Sequence, residues 1–204
     1  MKEQLLHHAI IAIIRGVQPA NVPLIIDALY KGGIRAAEIT LNSEGALPLI
    51  RQLVESHGSK MLIGAGTVLS ASAAIEAIAA GAQFIISPSL DPETISVTKA
   101  NGILSIPGAY TATEIVNAYT AGADIVKVFP ATSPQYVKDL RGPLNHIPLM
   151  PTGGVTLQNI AAFKAAGGVA VGIGSALVDS KEEVTTAYLN QLSLTARAFV
   201  KAIQ

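Results

Sequence analysis

Two residues of this chain, Lys127 and Glu38, stand where a purely structural sequence would not put them. Lys127 lies in Asp124-Ile-Val-Lys127-Val-Phe129-Pro130, an ammonium inside a β-branched apolar run. Such a run reads as a strand of a parallel sheet covered on both faces. There, loss of hydration penalises the charged amine and lowers its pKa. A neutral amine is a nucleophile that can form a Schiff base with a ketone or aldehyde. The structural alternative is a lysine at the strand end that reaches water or pairs with an acid. Glu38 interrupts a second apolar run, Ala36-Ala-Glu38-Ile-Thr-Leu41, at a position suited to Val or Ile. A carboxyl group that faces an amine across a shared interior is a candidate proton shuttle, directly or through a water. The alternative is a structural ion pair, which yields little net stability after desolvation.

These two side chains can meet only if the fold brings their strands together. Short β-branched segments alternate with helix-like stretches, the pattern of repeated strand-helix units and a parallel sheet. Eight such strands are expected, over residues 9–14, 36–41, 61–64, 84–87, 103–106, 125–129, 148–151 and 169–172. Their starts are separated by roughly 20 to 27 residues, close to the shortest unit that can cross over. Even spacing predicts a single α/β domain over residues 1–204, a (β/α)8 TIM barrel. Glycines in Lys31-Gly32-Gly33, Ala80-Gly81, Asn101-Gly102, Ala121-Gly122 and Ala166-Gly167-Gly168 mark helix ends. Ser70, Asp91, Thr111 and Thr156 or Gln158-Asn159 mark helix starts, and Thr111 with Glu114 has capping-box spacing. A helical period over 181–204 closes the ring. Period-two alternation puts Ala36, Glu38, Thr40 and Asn42 on one side of the second strand, and Ile125, Lys127 and Phe129 on one side of the sixth. Those strands are opposite in a ring of eight, so inward-facing Glu38 and Lys127 converge.

Barrel active sites gather at the carboxyl ends of the strands. The turns Pro151-Thr152-Gly153-Gly154 and Gly172-Ile-Gly174-Ser175 follow the last two strands, where such barrels hold phosphate, and their backbone amides with the Ser175 hydroxyl can face an anion. Arg15 ends the first strand and can clamp a carboxylate bidentately, or else is a surface charge. Thr67, in Gly64-Ala-Gly66-Thr67, offers one hydroxyl to a carboxylate or carbonyl. Ser87-Pro88 and Pro107-Gly108 read as rigid turns that shape the wall of the substrate site, and Phe129 as a packed core aromatic or a substrate contact.

Composition narrows the function classes. Half of the 204 residues are apolar, the formal net charge is zero, and no stripe of Lys and Arg marks a nucleic-acid or anionic-membrane surface. The expected partner is a small molecule. There is no cysteine, and the four histidines have no ligand spacing beyond the adjacent pair His7-His8, so neither a metal nor another cofactor is called for. The apolar run over 9–14 is short, ends in Arg15 and lacks a cleavage site, so a cytoplasmic location is expected. The high content of Ala and Ile with few charges hints at a buried subunit contact.

Taken in order, Ile-Arg15-Gly, Ala-Glu38-Ile-Thr-Leu-Asn-Ser, Ile-Gly-Ala-Gly-Thr67-Val-Leu, Ile-Ser-Pro88, Ile-Pro-Gly108, Lys127-Val-Phe-Pro, Pro-Thr-Gly153-Gly154-Val and Val-Gly-Ile-Gly174-Ser175 closely resemble the class I 2-keto-3-deoxy-6-phosphogluconate aldolase family. That family includes the 6-phosphogalactonate and 4-hydroxy-2-oxoglutarate enzymes. The resemblance spans nearly the whole chain. It implies a (β/α)8 barrel assembled as a homotrimer, with Lys127 as Schiff-base lysine and Glu38 as acid/base. It implies that Thr67 and Arg15 meet the pyruvyl carboxylate, that Gly153, Gly154, Gly174 and Ser175 hold phosphate, and that a phosphorylated keto sugar acid is cleaved to pyruvate and glyceraldehyde 3-phosphate. One position departs: enterobacterial phosphogluconate aldolases carry an arginine four residues after the strand-2 glutamate, where this chain has Asn42. Asn42 thus becomes a candidate substrate contact, and the segment looks more like the phosphogalactonate branch. Outside the lyases, a sugar-phosphate isomerase or epimerase, or a non-catalytic sugar-phosphate binder, would share the barrel and the phosphate turns.

Overall fold

In a closed parallel sheet every strand has one line of side chains facing in and one facing the helices, and the burial of this chain follows that alternation. The computed structural model describes residues 1–204. The strands are β1 (Ile10–Ile14), β2 (Ala36–Thr40), β3 (Leu62–Gly66), β4 (Phe84–Ile86), β5 (Leu104–Ile106), β6 (Gly108–Ala109), β7 (Val126–Val128), β8 (Leu149–Pro151) and β9 (Val171–Ile173). Six of them form one parallel sheet in the order β5-β4-β3-β2-β1-β9, and three form another, β6-β7-β8. Two seams join the sheets into a (β/α)8 barrel. At one, the chain runs from β5 through Pro107 into β6, and Lys127 N donates to Pro107 O at 2.9 Å. At the other, parallel bridges pair Leu149 with Gly168 and Thr152 with Gly172.

The interior cluster includes Ile11, Ala36, Leu62, Phe84, Ile86, Ile106, Ile125 and Met150, and it is plugged at its amino-terminal end by Leu5. Alternate positions on the same strands, among them Ile10, Ala12, Ile14, Ala37, Ile39 and Ile63, join a 39-residue cluster with the surrounding helices. Those helices are α1 (Lys2–His8), α2 (Val22–Lys31), α3 (Ala46–His57), α4 (Ala71–Ala79), α5 (Pro92–Ala100), α6 (Ala112–Thr120), α7 (Pro134–Arg141), α8 (Ile160–Ala165) and α9 (Thr186–Ile203). Helix starts are capped as expected: the Ser70, Asp91 and Thr111 side chains accept from the third residue on, and Thr111 with Glu114 forms a full capping box. Asn159 is the N-cap of α8, although its side chain accepts from Thr156 N instead. Gly33, Gly81, Gly102, Gly122 and Gly167, at the marked helix ends, all take positive φ.

The structure corrects several boundaries. The fifth strand, expected over 103–106, resumes as β6 after a break at Pro107, which has no N–H to give the ladder. Gly108 follows, and a Cβ there would lie 2.3 Å from the Pro88 backbone, so the two turns pack against each other. The third strand runs on to Gly66, the eighth is displaced to Val171–Ile173, the first, second, fourth, sixth and seventh lose one or two end residues, and the closing helix begins at Thr186. The seven-residue α1 was not anticipated; it buries only Leu5.

Candidate active site

β2 and β7 deliver Glu38 and Lys127 into the upper part of the interior, where they are 1% and 3% exposed. Glu38 fits because β3 lacks a side chain beside it: a Cβ on Gly66 would lie 2.5 Å from Glu38 Cδ and 2.6 Å from Oε1. Oε1 is buried and has no hydrogen-bond partner within the protein. Lys127 Nζ sits 4.9 Å from the centroid of the Phe129 ring, which faces the amine with its π-cloud. Burial lowers the Lys127 pKa, Glu38 opposes that shift, and Arg15 adds to it. Burial raises the Glu38 pKa against the pull of Lys127 and Arg15. Both shifts run toward the neutral forms, in which the amine has a free lone pair and the carboxyl group can donate a proton. That pairing suits condensation with a carbonyl, in which the nitrogen attacks and the leaving hydroxyl must be protonated.

A cavity of about 380 Å³ opens above Lys127. Arg15, Lys127, Phe129, Gly153, Gly154, Gly174 and Ser175, all singled out from sequence, line its wall. Arg15 takes part in neither of the chain's two ion pairs, His57 with Asp27 and Lys99 with Asp124. Its Nη2 donates to Thr67 Oγ1 at 3.2 Å, which links Thr67 to the wall. Thr67 takes φ +56°, a left-handed conformation that is costly for a β-branched residue and that aims its hydroxyl at the guanidinium. Gly153 and Gly154 take φ +87° and +72°. The amides of Gly153, Gly154, Ser175 and Ala176 donate to no backbone or side-chain acceptor of the protein. Gly174 O accepts from Leu177 N and Val178 N at 2.9 Å, so a single helical turn begins where Ser175 and Ala176 point their free amides.

Four sequence-predicted residues are not among those that line the cavity: Glu38 lies buried in the interior, Thr67 reaches the wall only through Arg15, and Asn42 and Pro88 lie elsewhere. Asn42 is exposed in the turn after β2 and contributes nothing to the cavity wall. Pro88 packs its backbone on Gly108 and shapes the β4 turn without reaching the cavity. Sequence reasoning gave no site role to the side chains of Thr152, Thr156 and Ser180, which line the cavity. Thr152 carried a signal, as the polar residue between Pro151 and Gly153; Ser180 carried none. No group of three or more His, Asp or Glu side chains converges in a metal-holding geometry.

A family model described as KDPG and KHG aldolase matches residues 1–192. The chain belongs to this aldolase family. Family members are carbon-carbon lyases. A 2-dehydro-3-deoxy-6-phosphogalactonate aldolase of Escherichia coli is 37% identical over 196 residues, 95% of this chain and 93% of that one. A 2-dehydro-3-deoxy-phosphogluconate aldolase of Treponema pallidum is 38% identical over 141 residues, 68% of this chain and 67% of its own. Among solved aldolase structures, one of native KDPGal superposes with a TM-score of 0.89 at 36% identity, covering 95% of this chain and 93% of that one. A KDPG aldolase from Legionella pneumophila, with pyruvate captured as a covalent carbinolamine intermediate, superposes with a TM-score of 0.83 at 25% identity, covering 97% and 96%.

Proposed function

We propose that this member of the family is a class I aldolase that cleaves a 2-keto-3-deoxy-6-phospho sugar acid to pyruvate and glyceraldehyde 3-phosphate. The observation that carries the reading is the dehydrated Lys127 amine on the cavity floor, coupled to a buried Glu38 that shares its interior. Neutral Lys127 attacks the C2 ketone, and Glu38 gives a proton to the departing hydroxyl of the carbinolamine, leaving an iminium ion. That cation is the electron sink. Glu38, now a carboxylate, takes the C4 hydroxyl proton, the C3–C4 bond breaks, and its electron pair forms the enamine of pyruvate. Protonation at C3 and hydrolysis of the resulting iminium release pyruvate and restore the lysine.

The remaining residues supply binding. Arg15 is close enough to influence both catalytic groups, which supports its meeting the carboxylate next to C2, with Thr67 oriented beside it. The free amides of Gly153, Gly154 and Ser175, with that of Gly174 and the Ser175 hydroxyl, favour a phosphate at the far side of the cavity, and so a phosphorylated substrate over 4-hydroxy-2-oxoglutarate. The galactonate series is favoured by the phosphogalactonate relative that aligns over 95% of this chain. The same proposal takes residues 1–204 as one folding domain, placed in the cytoplasm and assembled as a homotrimer. Exposed apolar side chains such as Leu69 and Ile75 support the assembly, which light scattering would measure.

Borohydride with pyruvate should fix an adduct on Lys127, located by peptide mass spectrometry, and pyruvate release from the two C4 epimers should be unequal. Cleavage retained in Lys127→Ala would end the Schiff-base reading. Ligand binding without turnover would point instead to a sugar-phosphate binder.

A further inference from the structure

We propose that Thr40 and Ser43 are positioning residues for Arg15, a role that rests on Arg15 receiving the substrate carboxylate. Arg15 is a long, exposed side chain followed by Gly16, which takes φ +63°, so neither its own rotamers nor the next residue stiffens it. The backbone on both sides of it is instead held from β2. Gly16 N donates to Ser43 Oγ at 2.9 Å. Ser43 Oγ and Thr40 Oγ1 share a hydrogen bond at 2.9 Å. Thr40 Oγ1 donates to Ile14 O at 3.3 Å. Proton counting orders the relay: the Thr40 proton goes to Ile14 O, so the Ser43 proton goes to Thr40, and Ser43 is left to accept from Gly16.

The relay therefore grips the peptide units immediately before and after Arg15, while Thr67 holds the other end of the same side chain. Thr40 is fully buried, and at such a strand position Val has the same shape without a hydroxyl to desolvate. The hydroxyl is accounted for by its two partners, and both lead to the Arg15 turn. Ser43 N also donates to Thr40 O at 2.9 Å, which fixes the turn after β2 so that the two side chains stay in register. Loosening this grip should misplace the guanidinium and weaken hold on a carboxylate with little effect on the amine chemistry at Lys127.

The test measures borohydride trapping of pyruvate as a function of pyruvate concentration, together with KM and kcat for cleavage. Ser43→Ala and Thr40→Val should each raise half-saturating pyruvate and KM about tenfold while kcat stays within about threefold. Ser43→Thr and Thr40→Ser, which keep the hydroxyls, should restore near-native values and guard against mere misfolding. In an Arg15→Ala background, adding Ser43→Ala should change nothing more, because the residue it positions is gone. An undiminished additional effect in that background, or an unchanged concentration dependence in folded Ser43→Ala and Thr40→Val, would overturn the positioning role. If the unsubstituted protein forms no adduct at all, the aldolase reading fails instead, and calorimetric pyruvate binding across the same variants still decides the role of the relay.

Discussion

The two ends of the barrel are built by the same strands and obey opposite rules. At the amino-terminal end, Leu5, Ile11, Leu62, Phe84 and Ile125 fill the interior with apolar side chains and leave no polar atom to satisfy. One pleat further along, the inward positions become Glu38 on β2, Gly64 and Gly66 on β3, Lys127 on β7 and Gly172 on β9, so charge and missing side chains replace hydrocarbon. The lower half is optimised for burial at about 25 cal/mol per Å² of apolar surface. The upper half carries a desolvated amine and an unpartnered carboxylate oxygen, both destabilising on their own. A strand can thus store stability at one end and reactivity at the other, because pleat position, not strand identity, sets the environment.

The largest expected effect comes from Lys127→Met. It should abolish both cleavage and the borohydride adduct, yet leave stability equal or higher by chemical denaturation, since it exchanges a dehydrated amine for an apolar chain of similar length. A clear loss of stability would blur the division between the two ends. Glu38→Gln should lower kcat by about 10²- to 10⁴-fold while half-saturating pyruvate moves by less than about threefold. Equal losses in both would make Glu38 structural.

At the other end, Phe84→Ala should cost about 3–5 kcal/mol of stability and leave kcat nearly unchanged while the protein remains folded. Stability should also respond to pH through the acid. With its folded pKa raised above the ordinary 4.5, Glu38 binds more protons folded than unfolded between those two values. Its contribution is therefore full below pH 4.5 and is lost as pH rises through the folded value. Denaturation from pH 4 to 8 should show Glu38→Gln gaining on the unsubstituted protein as pH rises. For Lys127, lowered from 10.5, the sign reverses: the unfolded chain binds the extra proton between the folded value and 10.5, so stability increases with pH over that interval, and Lys127→Met should flatten the rise. The smallest effect belongs to Asn42→Ala, expected to change stability by less than about 0.5 kcal/mol and to leave KM unaltered, as befits an exposed residue outside both regions.

Legibility in the sequence followed the range of the physics involved. Helix ends were readable because a left-handed glycine or a Thr111-Glu114 capping box is decided within a few residues. Lys127 and Glu38 were readable because charge in an apolar run is anomalous without any knowledge of neighbours. What escaped notice depends on partners distant in the chain. The break at Pro107 and the packing of Gly108 on Pro88 involve two turns that only the closed ring brings together. The hydroxyls of Thr40 and Ser43 look like ordinary strand-end residues until Gly16, on another strand's turn, is placed beside them. Helix α1 buries only Leu5, with Leu6 partly covered beside it, and has no side-chain cap, too little pattern to register.

The open space left by Gly66 means that the acid of this site is encoded on two strands, a carboxyl on one and an absence on the next. Grafting the glutamate alone onto another barrel would meet a methyl group where its oxygens must lie, and drift at the glycine would evict the acid without touching its codon. Inheritance of this chemistry is therefore pairwise: the reactive residue and the gap beside it must travel together.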